Sequence, residues 1–257
     1  MESSEAARVL SRPEPFPSRN VKLAEVVAKR IADDIFAQQL APGAKLPGER
    51  DMVERFQVSR GTLREALRIL EVHGLLTIRS GPGGGPTVSP MTANDFNRAC
   101  SLHFTAAGIT VSELWAAREK LEPLLARSAA ESLTDADRMA FEGIRREQAD
   151  DVMVDNARYV RVGSRFHQLI ASASGDPVLS LFARALGEMT AGLESRNVYP
   201  PSEHGRVHQA HLDIVDAILD RDADTAERLA AEHMSDMRIT HSARYPGLID
   251  NVLPYVI

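Results

Sequence analysis

Helical spacing of apolar residues beyond Pro90 is the feature that most constrains the fold. Apolar positions recur at intervals of three and four residues, without the alternation typical of a half-buried strand. Short breaks between such segments favour an antiparallel helical bundle. We therefore predict a helical domain of six to seven helices over residues 91–241, followed by a tail, 242–257, without a clear helical pattern. The predicted helices cover residues 94–107, 110–131, 134–150, 153–173, 177–192, 204–220 and 222–241.

The first ninety residues follow another pattern. Helical spacing over 21–40 is followed by a short segment that starts near Pro47, and by a third that Ser59 caps and Gly74 ends. Two β-like runs, 75–79 and 87–89, then flank a loop rich in glycine and proline. This order predicts a winged helix-turn-helix over 20–90 after a flexible arm, 1–19. The predicted fold class is mainly α, with this module preceding the bundle.

The charge is divided unevenly between the two parts. The chain has a net charge of −6. Residues 1–90 hold 13 Lys and Arg against 11 Asp and Glu, a net of +2, which leaves −8 for residues 91–257. A polyanionic partner is therefore expected at the first part rather than the second.

Composition argues against membrane insertion and secretion. No apolar run reaches the roughly 18–20 residues that span a bilayer, and the first residues lack the apolar core of a signal peptide. Cys100 is the only cysteine, so no disulfide can form within the chain. These features predict a cytoplasmic protein that does not contact membranes.

The third predicted helix has the chemistry of a DNA-reading helix. Arg60, Arg64 and Arg68 follow one another at four-residue spacing beside an apolar strip, and Gly61 and Thr62 keep the first turn slim. Arginine can bind phosphate or guanine, and helix N-terminal amides attract anions. Taken alone, the same pattern also fits a surface helix with three solvated arginines.

The surrounding motifs resemble the GntR family of bacterial regulators. They are Leu-Pro-Gly-Glu-Arg at 46–50, Val-Ser-Arg-Gly-Thr-Leu-Arg-Glu-Ala-Leu at 58–67 and Gly-Leu-Leu at 74–76, with Gly48 where the family usually has serine. The resemblance implies that one set of residues contacts DNA through base edges or phosphates, and that the wing tip approaches the minor groove through its backbone. The set comprises Arg50, Ser59, Arg60, Gly61, Thr62 and Arg64, and the wing tip is Gly81.

Three histidines on apolar helical faces form a candidate metal site. They are His167, His211 and His233, each on a different predicted helix. A single histidine on such a face is more often a hydrogen-bonded core residue, but facing helices of a bundle can bring three imidazoles to one ion. Another group, His204, His208 and His211, shares one face near a proline-rich helix start, where we expect solvated side chains.

The helical part resembles the FCD effector domain of the FadR subfamily. The matching patches are 118–122, 166–175, 211–218 and 230–233. The resemblance implies that the three histidines hold a divalent metal and that Arg118 binds a carboxylate effector. The subfamily's fourth ligand, an aspartate, is Gly163 here. Three imidazoles can still hold Zn²⁺ or Ni²⁺, and a pocket without metal remains the alternative.

Together these features predict a bacterial transcription regulator, a repressor whose operator binding is gated by a small carboxylate-containing metabolite. A homodimer would bind a near-palindromic operator in double-stranded DNA. The alternative is a metal-dependent enzyme with an appended DNA-binding module. No carboxylate is evident as a general base beside the histidines, and no nucleophile elbow, phosphate loop or dinucleotide motif is present.

The Arg64→Ala variant tests the DNA-reading helix. We expect it to lose operator binding in a gel-shift assay while its helical circular dichroism stays unchanged, because Arg64 lies on the exposed strip. Wild-type binding should fall steeply with salt, since phosphate contacts release counterions. Normal binding by Arg64→Ala would contradict the assignment.

Overall fold

The computed structural model describes residues 22–81, 84–149, 156–194 and 201–255. The chain forms two compact units, the first ending at Asp95 and the second beginning at Phe96. The predicted arm, 1–19, the middle of the wing loop and the start of the helix predicted from residue 153 lie outside the described residues.

Among its described residues, the first unit contains three complete helices: α1 (Leu23–Ala37), α2 (Glu49–Phe56) and α3 (Arg60–Val72). The apolar positions of α1 and α3 face each other and bury a common core. The α3 core positions are Leu63, Ala66, Leu67 and Leu70. The opposite face of α3 is left to its polar residues, as expected for an amphipathic helix.

The wing is an antiparallel hairpin of β1 (Leu76–Arg79) and β2 (Gly85–Val88), in which Leu76 pairs with Val88. Strand β2 also bonds to the segment before α2: the Gly43 amide donates to the Val88 carbonyl (2.8 Å) and the Leu46 amide to the Pro86 carbonyl (3.0 Å). These bonds fix the hairpin to the helix-turn-helix.

The second unit is helical over its described residues, and its helices agree closely with the predicted segments. They are α4 (Ala93–Ala106), α5 (Val111–Ser132), α6 (Asp135–Ala149), α7 (Asn156–Ala173), α8 (Pro177–Glu194), α9 (Pro201–Leu219), α10 (Ala223–Arg244) and α11 (Pro246–Ile249), of which α4 begins just before the unit boundary. Two apolar clusters fill this unit. One includes Phe141, Phe166 and Ile214, and the other includes Trp115 and Met234.

One local prediction is refined and another was wrong. The second helix starts near Pro47 as predicted, with Gly48 as its N-cap and Glu49 as its first helical residue. The tail is not without helix, since α10 runs to Arg244 and α11 follows at once. The tail then packs on the bundle, where Leu253 is buried and its amide donates to the Ile109 carbonyl at 2.8 Å.

The predicted fold class is confirmed by this architecture. None of the helices in the described segments combines the length and the apolar character needed to cross a membrane.

Candidate functional site

The N-terminus of α3 is shaped by a hydroxyl cap. Ser59 Oγ accepts a hydrogen bond from the Thr62 amide (3.1 Å) and lies 2.9 Å from Thr62 Oγ1. The next two residues, Arg60 and Gly61, are exposed. A Cβ added at Gly61 would approach only Ser59 Oγ, at 3.7 Å. The first turn therefore presents hydroxyls and backbone with little bulk above them, which suits a close approach by phosphate.

Two of the arginines for which the family resemblance implies DNA contacts form exposed ion pairs. Arg64 Nε donates to Glu49 Oε2 at 2.9 Å, which joins α3 to the start of α2. Arg50 Nε lies 3.3 Å from Asp51 Oδ1. Such exposed pairs contribute little stability, about 0–1 kcal/mol, so a phosphate or base can replace the carboxylate at small cost. Glu49 was not predicted as a partner of Arg64, because the two residues are 15 positions apart and come together only when α2 packs against α3.

The wing tip presents backbone rather than charge. Gly81 has φ +99°, a conformation that favours glycine, and an added Cβ would meet nothing within 4 Å. Its peptide groups can therefore approach another surface closely. Pro82 and Gly83 lie outside the described residues.

In the second unit, the three predicted histidines converge. His167 on α7, His211 on α9 and His233 on α10 each offer a nitrogen, and these atoms lie within 4.8 Å of one another. The Nε2 atoms of His211 and His233 are 3.2 Å apart. Phe166 stacks on the His211 ring with centroids 4.0 Å apart, which fixes its orientation.

Burial keeps two of these imidazoles neutral. It lowers the pKa of His233 to about 3, helped by the neighbouring charge of His167. It also lowers the pKa of His211 well below its usual value, with His233 adding to the effect. Neutral imidazole is the form that binds metal ions. Two nitrogens bound to one tetrahedral Zn²⁺ are about 3.3 Å apart, so the observed 3.2 Å separation fits a metal site.

A carboxylate lies directly beside the histidines, contrary to the sequence-based expectation that none did. Glu122 on α5 accepts a short hydrogen bond from His167 Nδ1. That bond leaves His167 Nε2 as the nitrogen with a free lone pair, the arrangement that orients metal-binding histidines. Glu122 was missed because it lies 45 residues from His167, and its only visible signal was the four-residue spacing from Arg118.

Arg118 connects this carboxylate to the rest of the pocket. Its Nε and Nη2 lie 2.6 and 2.5 Å from Glu122 Oε1, and its Nη1 donates to Thr190 Oγ1 on α8 at 2.5 Å. Burial by itself would raise the pKa of Glu122, but the charges of Arg118 and His167, with their hydrogen bonds, lower it to about 2. The pair of Arg118 with Glu122 is therefore buried rather than exposed on the surface of the bundle.

All of these polar groups except His233 line one cavity between α5, α7, α8, α9 and α10. Gly163 lies on its wall, at the position where the resemblance places an aspartate, and a Cβ there would approach only His211 Cε1, at 3.7 Å. A second opening shares four of the lining residues and adds Arg161 and Arg165. The shared residues are Val160, Ser164, Gln168 and Ala191.

The expectation for the other histidine group was wrong. His204 is not solvated but only 2 % exposed, because its ring stacks on Tyr159 with centroids 4.1 Å apart. His208 is half-buried. In the described residues, the group that could hold a metal comprises His167, His211 and His233, without His204 or His208.

Comparison with known proteins agrees with both units. Residues 23–84 match the model of the bacterial regulatory proteins of the gntR family, and residues 113–236 match the FCD domain. The HTH-type transcriptional repressor NanR of Salmonella newport (strain SL254) is 30 % identical over 238 residues, which cover 88 % of each chain. NanR of Salmonella typhi is also 30 % identical, over 88 % of this chain and 87 % of its own length.

Among solved structures, Streptococcus agalactiae GntR superposes with a TM-score of 0.65 at 23 % identity, covering 84 % of this chain and 99 % of that one. This likeness supports the fold. The relatives are transcription regulators rather than enzymes, so the enzyme alternative is not supported.

The buried pair predicts an asymmetric effect on stability. Glu122→Ala should lower the free energy of unfolding by about 3–5 kcal/mol, because it leaves the Arg118 charge buried without its partner. The double variant Arg118→Met/Glu122→Leu should recover most of that loss. Arg228→Ala, which removes an exposed pair with Glu232, should cost less than about 1 kcal/mol.

Urea unfolding would measure all three variants. Since the folded pKa of Glu122 is depressed, the carboxylate's contribution should be complete above its ordinary pKa of 4.5. It should disappear as the pH falls towards 2. A single variant that is no less stable than the double variant would contradict this account.

Proposed function

The chain belongs to the gntR family of bacterial regulatory proteins and is a DNA-binding transcription regulator with an FCD effector domain, and we propose that it is a homodimeric repressor released from a near-palindromic operator by a carboxylate metabolite. The NanR relatives are transcriptional repressors, which supports the sign of regulation. The observation that carries the effector side is the cavity lined by Arg118, His167 and His211, with His233 in the same histidine cluster. Because the operator is chromosomal, we place the protein in the cytoplasm.

On the DNA side, the proposal assigns base and phosphate contacts to the start of α3. The proposed residues are Arg50, Ser59, Arg60, Gly61, Thr62 and Arg64, with Gly81 at the wing tip. The exposed ion pairs of Arg50 and Arg64 support this assignment, since they hold the side chains without burying them. One recognition helix contacts one half-site, so two copies are needed for a near-palindrome. We assign residues 20–90 to this module and 91–241, with its packed tail, to effector binding.

On the effector side, the electrostatics favour an anion. Residues 91–257 carry a net charge of −8. The cavity nevertheless contains Arg118 and Arg184 against the carboxylate of Glu122, and its second opening is flanked by Arg161 and Arg165. Local positive charge in an acidic domain attracts small anions towards the opening. The Arg118 guanidinium has five N–H donors, so it can bind a carboxylate while it remains paired with Glu122.

A metal ion at the three histidines would complete this site. His167, His211 and His233 would hold Zn²⁺ or Ni²⁺, and the ion would supply positive charge for the effector carboxylate. Glu122 would orient His167 through Nδ1. Gly163 leaves open the place of a fourth, protein-derived oxygen ligand. The effector, on this proposal, releases DNA because it binds the DNA-free form of the dimer more tightly.

Calorimetry with Zn²⁺ tests the metal site. Metal-free protein should take up about one Zn²⁺ per chain through three imidazoles. His211→Ala should lose this uptake, whereas His208→Ala, three residues earlier on α9, should retain it. Gly163→Asp should bind Zn²⁺ more tightly, since it adds a carboxylate where only His211 Cε1 is near. No uptake by the wild-type protein would favour a pocket without metal.

Gel-shift assays with paired ligands test the effector class. We expect small carboxylic acids that fit the cavity to release the wild-type protein from a DNA fragment it selects, and the corresponding amides to fail. The amide keeps the shape but removes the charge that Arg118 pairs with. Equal release by an acid and its amide would contradict a carboxylate effector.

A further inference from the structure

An unpaired buried histidine lies near the cavity, away from the three candidate metal ligands. His204 is 2 % exposed, and neither Nδ1 nor Nε2 has a hydrogen-bond partner among the described residues. Buried polar groups in native proteins are nearly always paired, because leaving them unpaired costs folding free energy. The stability of the fold therefore does not explain why this unpaired imidazole is buried.

Helical geometry directs His204 towards the same side of α9 as the cavity wall. His204 precedes Val207 by three residues and His211 by seven, spacings that place all three on one helical face. Val207 and His211 both line the cavity. Seven residues correspond to about 10 Å along the helix axis, so His204 continues this face about 10 Å beyond His211.

The opposite helix shows the same order. Tyr159 on α7 lines the cavity, stacks on His204 with an interplanar angle of 16°, and precedes His167 by eight residues. On α5, Trp115 also lines the cavity, but its ring centroid lies 5.0 Å from Arg118 Cζ, so Trp115 belongs to the Arg118 end. The cavity therefore has two ends. One end holds Arg118 with His167 and His211, and the other holds Tyr159 and Val207, with His204 stacked on Tyr159.

We propose that His204 is a specificity-determining residue for the effector, which is a hydroxy acid whose hydroxyl group reaches the Tyr159 end of the cavity while its carboxylate lies at the Arg118 end. This inference rests on the proposed carboxylate effector. A neutral imidazole offers one donor and one acceptor, and a hydroxyl is the small neutral group that matches both. A carboxylate only accepts and an ammonium only donates, so either group would leave one ring nitrogen unpaired.

Two linear acids that differ by one group test the proposal. Hexanoate and 6-hydroxyhexanoate share the same carboxylate and chain, and only the second carries a terminal hydroxyl. Calorimetry on the full-length protein should show 6-hydroxyhexanoate binding about tenfold more tightly, since hexanoate leaves the imidazole unpaired.

Two substitutions separate a binding role from a structural one. His204→Phe keeps an aromatic ring for stacking on Tyr159 but removes both nitrogens. It should bind the two acids equally, with the affinity for hexanoate unchanged. The melting temperature of the ligand-free variant should not fall, because no hydrogen bond is lost. His204→Gln retains a donor and an acceptor and should retain a preference for 6-hydroxyhexanoate.

Each other outcome overturns the inference in a distinguishable way. Equal wild-type affinity for the two acids, or a His204→Phe variant that still prefers the hydroxy acid, rejects the role of His204 and leaves the carboxylate site intact. A lower melting temperature of His204→Phe, with the preference unchanged, identifies His204 as a structural residue. Failure of both acids to bind the wild-type protein at millimolar concentration rejects the carboxylate cavity itself.

Discussion

The buried chain of contacts from Thr190 through Arg118 and Glu122 to His167 is the interaction on which the effector unit depends. It joins α8, α5 and α7 in the interior of the bundle, where each charge would be costly without its neighbour. Because Glu122 is held by two partners, it stays ionised, and its second oxygen fixes the tautomer of His167. On the proposed function, metal affinity and anion recognition would therefore be coupled through this one carboxylate. A change at Arg118 would alter the orientation of His167 through Glu122, even without a direct contact between Arg118 and His167.

The first unit places its charges in the opposite way. The arginines at the start of α2 and on α3 form exposed pairs with Asp51 and Glu49, while the rigid part of the unit is the apolar core beneath them. Exposed pairs are screened and easily exchanged, which suits side chains that must leave one anion for another. Buried pairs, in contrast, keep the side chains that line a pocket in fixed positions. Both units thus pair arginine with a carboxylate. The exposed pairs of the first unit can be exchanged for other anions, whereas the buried pair of the second unit holds its side chains in place.

Helix positions were predictable from the sequence because local rules govern them. Ser59 caps α3 as expected, and Thr110 and Asp222 cap α5 and α10. The three histidines were also recognisable, since each sits on an apolar helical face. Glu122 and His204 were not, because their environments arise from contacts between helices that sequence spacing does not encode. The same limitation explains the tail, where Leu253 is ordered by bonds to Ile109 and Thr105 rather than by local propensity.

The structure gives Gly163 a physical role that the sequence alone did not indicate. As a departure from a family pattern, it suggested a weakened metal site. In the structure it is a gap on the cavity wall beside His211, at the end where Arg118 supplies positive charge. An ion held by three neutral imidazoles keeps its full charge and an open coordination position. The missing protein carboxylate would therefore make the metal more dependent on an anionic effector. Such dependence is reciprocal, because any anion that tightens metal binding must itself be bound more tightly when the metal is present.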